Sequence, residues 1–128
     1  MPKRPPLPTD AELDLLRVLW ARGPSTVREV HAALGGGTGY TTTLKLLQNM
    51  HAKGLATRDD APRQHVYAAR VAESATLGAV AAHVADRLFG GSAGALALRA
   101  LGAGSASPAE LRELKRLIRE LERRGDAG

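Results

Sequence analysis

Hydrophobic positions recur at helical spacing through most of the chain. Leu13, Leu16 and Trp20 fall on one face, and Leu15 and Leu19 widen the stripe. Just before them, Thr9-Asp10-Ala11-Glu12 predicts a capping box, with the Thr9 hydroxyl and the Glu12 carboxylate each accepting from the other residue's amide. Gly23-Pro24 ends this helix. Val27, Val30 and Leu34 mark a second helix, capped by Ser25 or Thr26. Gly35-Gly36-Gly37-Thr38-Gly39 cannot continue it and reads as a loop. A third helix starts around Thr41 to Thr43, carries Leu44, Leu47 and Met50, and stops at Lys53-Gly54 with a terminal cation and a glycine. The period then changes. Leu55-Ala56-Thr57-Arg58 and Gln64-His65-Val66-Tyr67 are strand-like, and Asp59 to Arg63 between them carry turn chemistry, which predicts a two-stranded hairpin.

From Val71 the pattern is helical again. Leu77, Val80, Val84 and Leu88 form a stripe that Gly90-Gly91-Ser92 breaks, and Ala95 to Leu101 make a short apolar helix. Ser107-Pro108-Ala109-Glu110 is a strong helix start, followed by a heptad-like seam of Leu111, Leu114, Ile118 and Leu121. The order is three helices, a hairpin and three more helices. That predicts a mainly α protein with a small β-hairpin: a winged helix-turn-helix followed by a helical dimerisation region. The expected organisation is a flexible basic tail at 1–8, a winged-helix domain at 9–70 and the dimerisation region at 71–128.

Charge sharpens this division. The 128 residues carry a net charge of +5. Residues 1–70 hold 10 basic and 6 acidic side chains, whereas residues 71–128 hold 8 and 7. The positive excess therefore belongs to the part with the winged-helix layout, which points to an anionic partner. Aromatics are only 3%, so the core is built from Leu, Val and Ala. A small core of that kind leans on a partner subunit. Cysteine is absent, which excludes disulfides, thiolate metal sites and a Cys nucleophile and fits a reducing cytoplasm, the expected location. No apolar run approaches the roughly 18 residues a membrane span needs. Residues 1–8 have basic charge but no apolar segment, so neither a signal peptide nor membrane insertion is expected.

The candidate chemistry lies in the third helix and the hairpin. In a winged helix the third helix enters the major groove and the hairpin lies on the adjacent backbone. Tyr40, Thr41, Thr42, Thr43 and Lys45 lead that helix and are the candidate DNA-binding residues, with Gln48 and Asn49 further along. Thr reaches phosphate or a thymine methyl, Lys reaches guanine or phosphate, and Gln and Asn pair with adenine edges. The threonine triplet reads equally as an ordinary helix start with a solvated polar face. On the hairpin, Arg58 and Arg63 are the candidate phosphate contacts, with His65 nearby, while Asp59 and Asp60 oppose an anion.

The enzyme reading finds no support in the motifs. His31, His51, His65 and His83 share no metal-ligand spacing. The glycine loop lacks the Gly-Lys-Ser/Thr of a phosphate loop and lies between helices. No catalytic residue, metal or cofactor is expected. Leu77, Leu88, Phe89, Leu111, Leu114, Ile118 and Leu121 are the candidate dimerisation residues. Two other uses of the fold stay open: a protein-interaction module, and a regulator responding to a small molecule held between the DNA and dimer parts.

Four strings in order resemble the penicillinase-repressor family of bacterial transcription regulators. They are Thr9 to Leu19 running into Trp20-Ala21-Arg22-Gly23-Pro24, Tyr40-Thr41-Thr42-Thr43-Leu44 leading to Lys53-Gly54-Leu55, His65-Val66-Tyr67, and Arg87-Leu88-Phe89-Gly90-Gly91-Ser92. The resemblance runs from Thr9 to about Arg124. It implies a homodimer on a palindromic operator in double-stranded DNA, with the helix near Tyr40 reading DNA and the C-terminal helices dimerising. It also implies a membrane-bound sensor metalloprotease as partner, whose signal leads to cleavage in the dimerisation region. Arg99-Ala100 stands where that family is cut at an Asn-Phe bond. The copper-responsive branch carries a C-terminal cysteine cluster, which this chain lacks.

Overall fold

The computed structural model describes residues 6–60 and 63–127. Most of the expected 1–8 tail, including Lys3 and Arg4, therefore lies outside the described residues, as do Ala61 and Pro62 in the expected turn.

Among the described residues, six helices and three strands form in the order α1 (Asp10–Arg22), β1 (Ser25–Thr26), α2 (Val27–Leu34), α3 (Tyr40–Lys53), β2 (Ala56–Asp60), β3 (His65–Ala69), α4 (Glu73–Leu88), α5 (Ala93–Ala103) and α6 (Pro108–Ala127). The capping box of α1 is complete. The Glu12 amide donates to Thr9 Oγ1 at 3.2 Å, and the Thr9 amide donates to Glu12 Oε1 at 2.9 Å. A second box, Thr26 with Glu29, starts α2, and a third, Ser107 with Glu110, starts α6. Gly23 at φ +86° and Gly54 at φ +87° end α1 and α3 in backbone conformations that side chains disfavour.

The hairpin expectation is corrected in one respect: the sheet has three strands, in the order β1-β3-β2, all antiparallel. Ser25 stands opposite Tyr67 and Thr26 opposite Val66. Thr26 thus caps α2 and pairs with β3 at once. A two-residue strand has no period to read, and its pairing depends on a partner some 40 residues away in the chain.

Leu15, Leu16 and Leu19 of α1, Val27 and Val30 of α2, Leu47 and Met50 of α3, Leu55, Ala56 and Tyr67 make one buried core. Burying each large aliphatic side chain contributes about 1.5–3 kcal/mol. Trp20 packs against the edge of this core, and its indole nitrogen donates to the Val71 carbonyl at 3.0 Å. That bond carries the first compact unit past the sheet. The chain packs as two units, one ending at Ala81 and one starting at Ala82, so the division falls inside α4.

The second unit buries little. Ala85 is 4% exposed, whereas no residue of α5 is buried. Leu88 and Leu98 are 73% and 76% exposed. The α4 turn closes with the Gly91 amide on the Ala85 carbonyl at 3.0 Å.

Candidate nucleic-acid interface

The buried face of α3 is Thr43, Leu47 and Met50. Thr43 is therefore not a surface residue: it is fully buried, and its hydroxyl donates to the Gly39 carbonyl at 3.1 Å. The expectation that it touches DNA is corrected. Successive helical residues turn by about 100°, so a triplet cannot share one face, and Thr43 belongs with Leu47 and Met50 at i, i+4, i+7. Thr41, Lys45 and Gln48 project from the opposite side, with Thr42 and Asn49 beside them, all exposed. Tyr40 lies on the flank, half exposed, with its ring edge-on to His31 at 5.7 Å between centroids. Gly39 offers no side-chain cap, so the first amides of α3 keep their free donors.

The far end of α3 is anchored. Lys53 Nζ donates to Glu12 Oε1 at 3.0 Å and to Oε2 at 2.8 Å. Glu12 is only 2% exposed and also accepts from the Thr9 amide. Its burial favours the neutral acid, but the bonds from Lys53 and Thr9 win and hold the carboxyl below its ordinary value. One carboxylate thus closes the start of α1 and ties down the end of α3, which sets the angle at which α3 presents its outer face. Glu12 and Lys53 were each legible as helix-end residues; their pairing was not.

On the wing, Arg58 does not project as a free cation. Its Nε lies 2.6 Å from Asp60 Oδ1, and it stands opposite Tyr67 in the register. The neighbouring Tyr67 hydroxyl, then Asp60, raise its pKa above the ordinary value. The Tyr67 hydroxyl itself is buried and meets no partner at hydrogen-bonding geometry among the described residues. His65 Nε2 approaches the same Asp60 oxygen at 3.7 Å. The expected phosphate contact at Arg58 is thus occupied by an acid two residues along its own strand, where side chains share a face.

Arg63 is different. It is exposed and has no carboxylate partner among the described residues. With His65, Tyr40 and Leu44 it lines a polar cleft of about 410 Å³ that Arg28, at the start of α2, also lines. Sequence reading missed Arg28. Its signal was an arginine in the first turn of a helix, where the dipole disfavours a cation by about 0.3–1 kcal/mol.

The expected dimerisation side chains stand mostly in the open. Leu77 is exposed in the first unit. In the second, Leu88, Leu111, Ile118 and Leu121 are exposed, while Phe89 and Leu114 are half-buried. Leu98, Leu101 and Leu117 are also exposed and were not singled out by the periodicity. Among the described residues, no group of three His, Cys, Asp or Glu is placed to hold a metal, and no helix is long and apolar enough to cross a membrane.

The model of the penicillinase repressor family matches residues 8–120. The chain belongs to the penicillinase repressor family. Among solved structures, the DNA-binding domain of the repressor BlaI is 27% identical, with a TM-score of 0.50, covering 57% of this chain and 92% of that one. The Bacillus licheniformis BlaI monomer in complex with the blaP half-operator is also 27% identical, with the same coverage and a TM-score of 0.48. A MarR family regulator from Silicibacter pomeroyi DSS is 24% identical over 91% of this chain and 69% of that one, with a TM-score of 0.46. No curated protein matches. The winged-helix architecture of this penicillinase-repressor family member agrees with that of the BlaI domain. In the same chain, Arg99 and Ala100 lie inside α5 with exposed side chains, and the Ala100 carbonyl accepts from the Gly104 amide at 2.9 Å.

Proposed function

We propose that this chain is a DNA-binding transcriptional repressor that acts as a homodimer on a palindromic operator. The observation that carries the reading is the outer face of α3. Thr41, Thr42 and Lys45 form an exposed polar edge at its N-terminal end, on a helix whose other end is locked by Glu12 and Lys53. Recognition helices lead with that end. Family membership, and the half-operator bound by the Bacillus licheniformis relative, support the same partner. Tyr40 flanks the reading edge and Arg63 grips backbone, adding affinity and salt dependence without reading sequence.

The dimer reading rests on apolar side chains left in water. Leu88, Leu98, Leu111, Ile118 and Leu121 are each at least 50% exposed, except Leu111 at 44%, and a partner subunit that covers them restores ordinary burial. Joining two half-site readers raises affinity through effective concentration. Derepression by a sensor protease fits a cut in α5, which would divide Leu98 from Leu101 and weaken the dimer. Arg99-Ala100 in place of Asn-Phe requires a protease of different specificity, and α5 must open locally before its backbone can enter an active site.

A gel-shift titration against DNA upstream of the protein's own gene, with competitor and at two salt concentrations, tests the proposal. A discrete band that survives competitor supports specific operator binding. Binding abolished by competitor reduces the chain to generic electrostatics.

A second reading, control by an apolar small molecule, is favoured by one observation. Leu7, Leu55, Val71, Ala75 and Ala79 line an apolar cleft of about 520 Å³ in the first unit. A shift of melting temperature with an apolar ligand series would support it.

A further inference from the structure

We propose that the cleft between α2, α3 and the wing seats a single backbone phosphate of duplex DNA, held jointly by Arg28 and Arg63. The inference rests on the DNA-binding reading and adds to it the place where the wing and α2 grip the same group.

Three observations carry it. Arg28 and Arg63 line one cleft of about 410 Å³, and neither has a carboxylate partner among the described residues. Two arginines lining one small cleft carry like charges, and an anion bound there is attracted by both.

Among the described residues, no carboxylate lines the cleft, Asp59 of the wing included, and the two acids nearest in sequence to its lining residues are already engaged. Glu29, next to Arg28, accepts from the Thr26 amide at 2.8 Å and pairs with Arg22 at 3.3 Å. Asp60 is held by Arg58 at 2.6 Å, with His65 at 3.7 Å. The charged lining of the cleft is therefore Arg28 and Arg63, with His65 beside them.

The remaining wall suits a phosphate diester. Tyr40 and Gln64 bring neutral polar groups, and Val27 and Leu44 lay an apolar floor beside them. The floor lowers the local dielectric and strengthens each contact to the anion. Arginine presents a planar fork that matches phosphate oxygens bidentately. Arg28 also stands in the first turn of α2, where its charge opposes the helix dipole, so its position is explained by a ligand and not by helix stability.

The test uses the full chain and a labelled mixed-sequence duplex, titrated by fluorescence anisotropy from about 50 to about 200 mM salt. The variants are Arg28→Gln, Arg63→Gln, their double variant, and Arg112→Gln on α6 as an exposed, charge-matched control. Each single cleft variant is expected to bind roughly tenfold more weakly. In the double variant, the slope of log K against log salt is expected to become shallower by about 0.9 per bound protomer, the value of one phosphate. Arg112→Gln should leave the slope at the wild-type value. Thermal unfolding of Arg28→Gln should be unchanged or slightly higher, because a cation leaves a helix N-terminus, so a loss of binding cannot be laid to misfolding. A slope change near 1.8 would mean two separate phosphates and overturn the shared seat. Cleft variants that behave like Arg112→Gln would overturn the site altogether. A wild-type chain whose binding ignores salt would instead overturn the DNA-binding reading.

Discussion

Replacing Lys53 with methionine should loosen α3 by a predictable amount. Methionine keeps most of the apolar stem and removes only the ammonium group. The Glu12 carboxylate then stays at 2% exposure without its cation. Breaking a buried pair from one side costs about 3–5 kcal/mol when both charges are fully desolvated. Two features reduce that here. The Lys53 side chain is 36% exposed, so its bond is partly screened. Glu12 also keeps the Thr9 amide at 2.9 Å and the favourable start of the α1 dipole. About 2 kcal/mol remains, a fall in melting temperature of roughly 8–16 °C for a unit of this size. The pH dependence fixes the cause. In the wild type Lys53 and the Thr9 amide hold the Glu12 pKa below the ordinary carboxylate value, so its contribution is fully present above that value and is lost as pH falls through the folded-state pKa. In the variant only the Thr9 bonds oppose burial, so the Glu12 pKa lies higher than in the wild type and the lost Lys53 contribution no longer depends on its ionisation. The stability gap between the two proteins must therefore narrow as pH drops below about 5. Chemical denaturation at several pH values reads this directly. A gap that stays constant with pH, or one below about 0.5 kcal/mol at pH 7, refutes the ion pair as the latch. Adding Glu12→Gln to Lys53→Met should recover part of the loss, since the orphaned charge is then gone.

Other outcomes follow from the same geometry. Lys45→Ala should weaken operator binding by about 1–3 kcal/mol in a gel shift, whereas Thr43→Val should leave the DNA-facing surface intact and cost only about 0.5–1.5 kcal/mol of stability; unchanged operator affinity for Lys45→Ala would reject the reading face. Leu114→Asp should give monomers in sedimentation, and a persisting dimer would reject the α6 seam as the interface. Tyr67→Phe removes a buried hydroxyl that has no geometric partner, so it should be neutral or mildly stabilising, and a loss above about 1 kcal/mol would show that the hydroxyl is in fact bonded in solution.

Most of the helical framework was readable before any coordinates, and the reason is local. The boxes at Thr9/Glu12 and Ser107/Glu110 each join residues three apart, a spacing that helix geometry imposes on any sequence carrying those side chains, and the α2 cap, open between Ser25 and Thr26 in the sequence, falls to Thr26 with Glu29. The seam of α6, the glycine stops of α1 and α3, and the change of period at Leu55 are local in the same sense. The reading edge was partly legible. Thr41, Thr42 and Lys45 stand where the pattern placed them, but Thr43 was assigned by its neighbours' chemistry and not by its angle around the helix.

The sequence by itself determined the order of the helices and the hairpin, the caps of α1 and α6, the family and the concentration of positive charge in the first 70 residues. Tertiary structure alone decided which of those charges is free. Lys53 is bound to a carboxylate 41 residues away, and Arg28 and Arg63, 35 residues apart in the chain, line one cleft, whereas Arg58 is held by an acid only two residues along its own strand. Capping and amphipathic spacing depend on neighbours three or four positions apart, so they are written along the chain. A charge becomes available or occupied only when distant segments close on it, and that is settled by how the core packs.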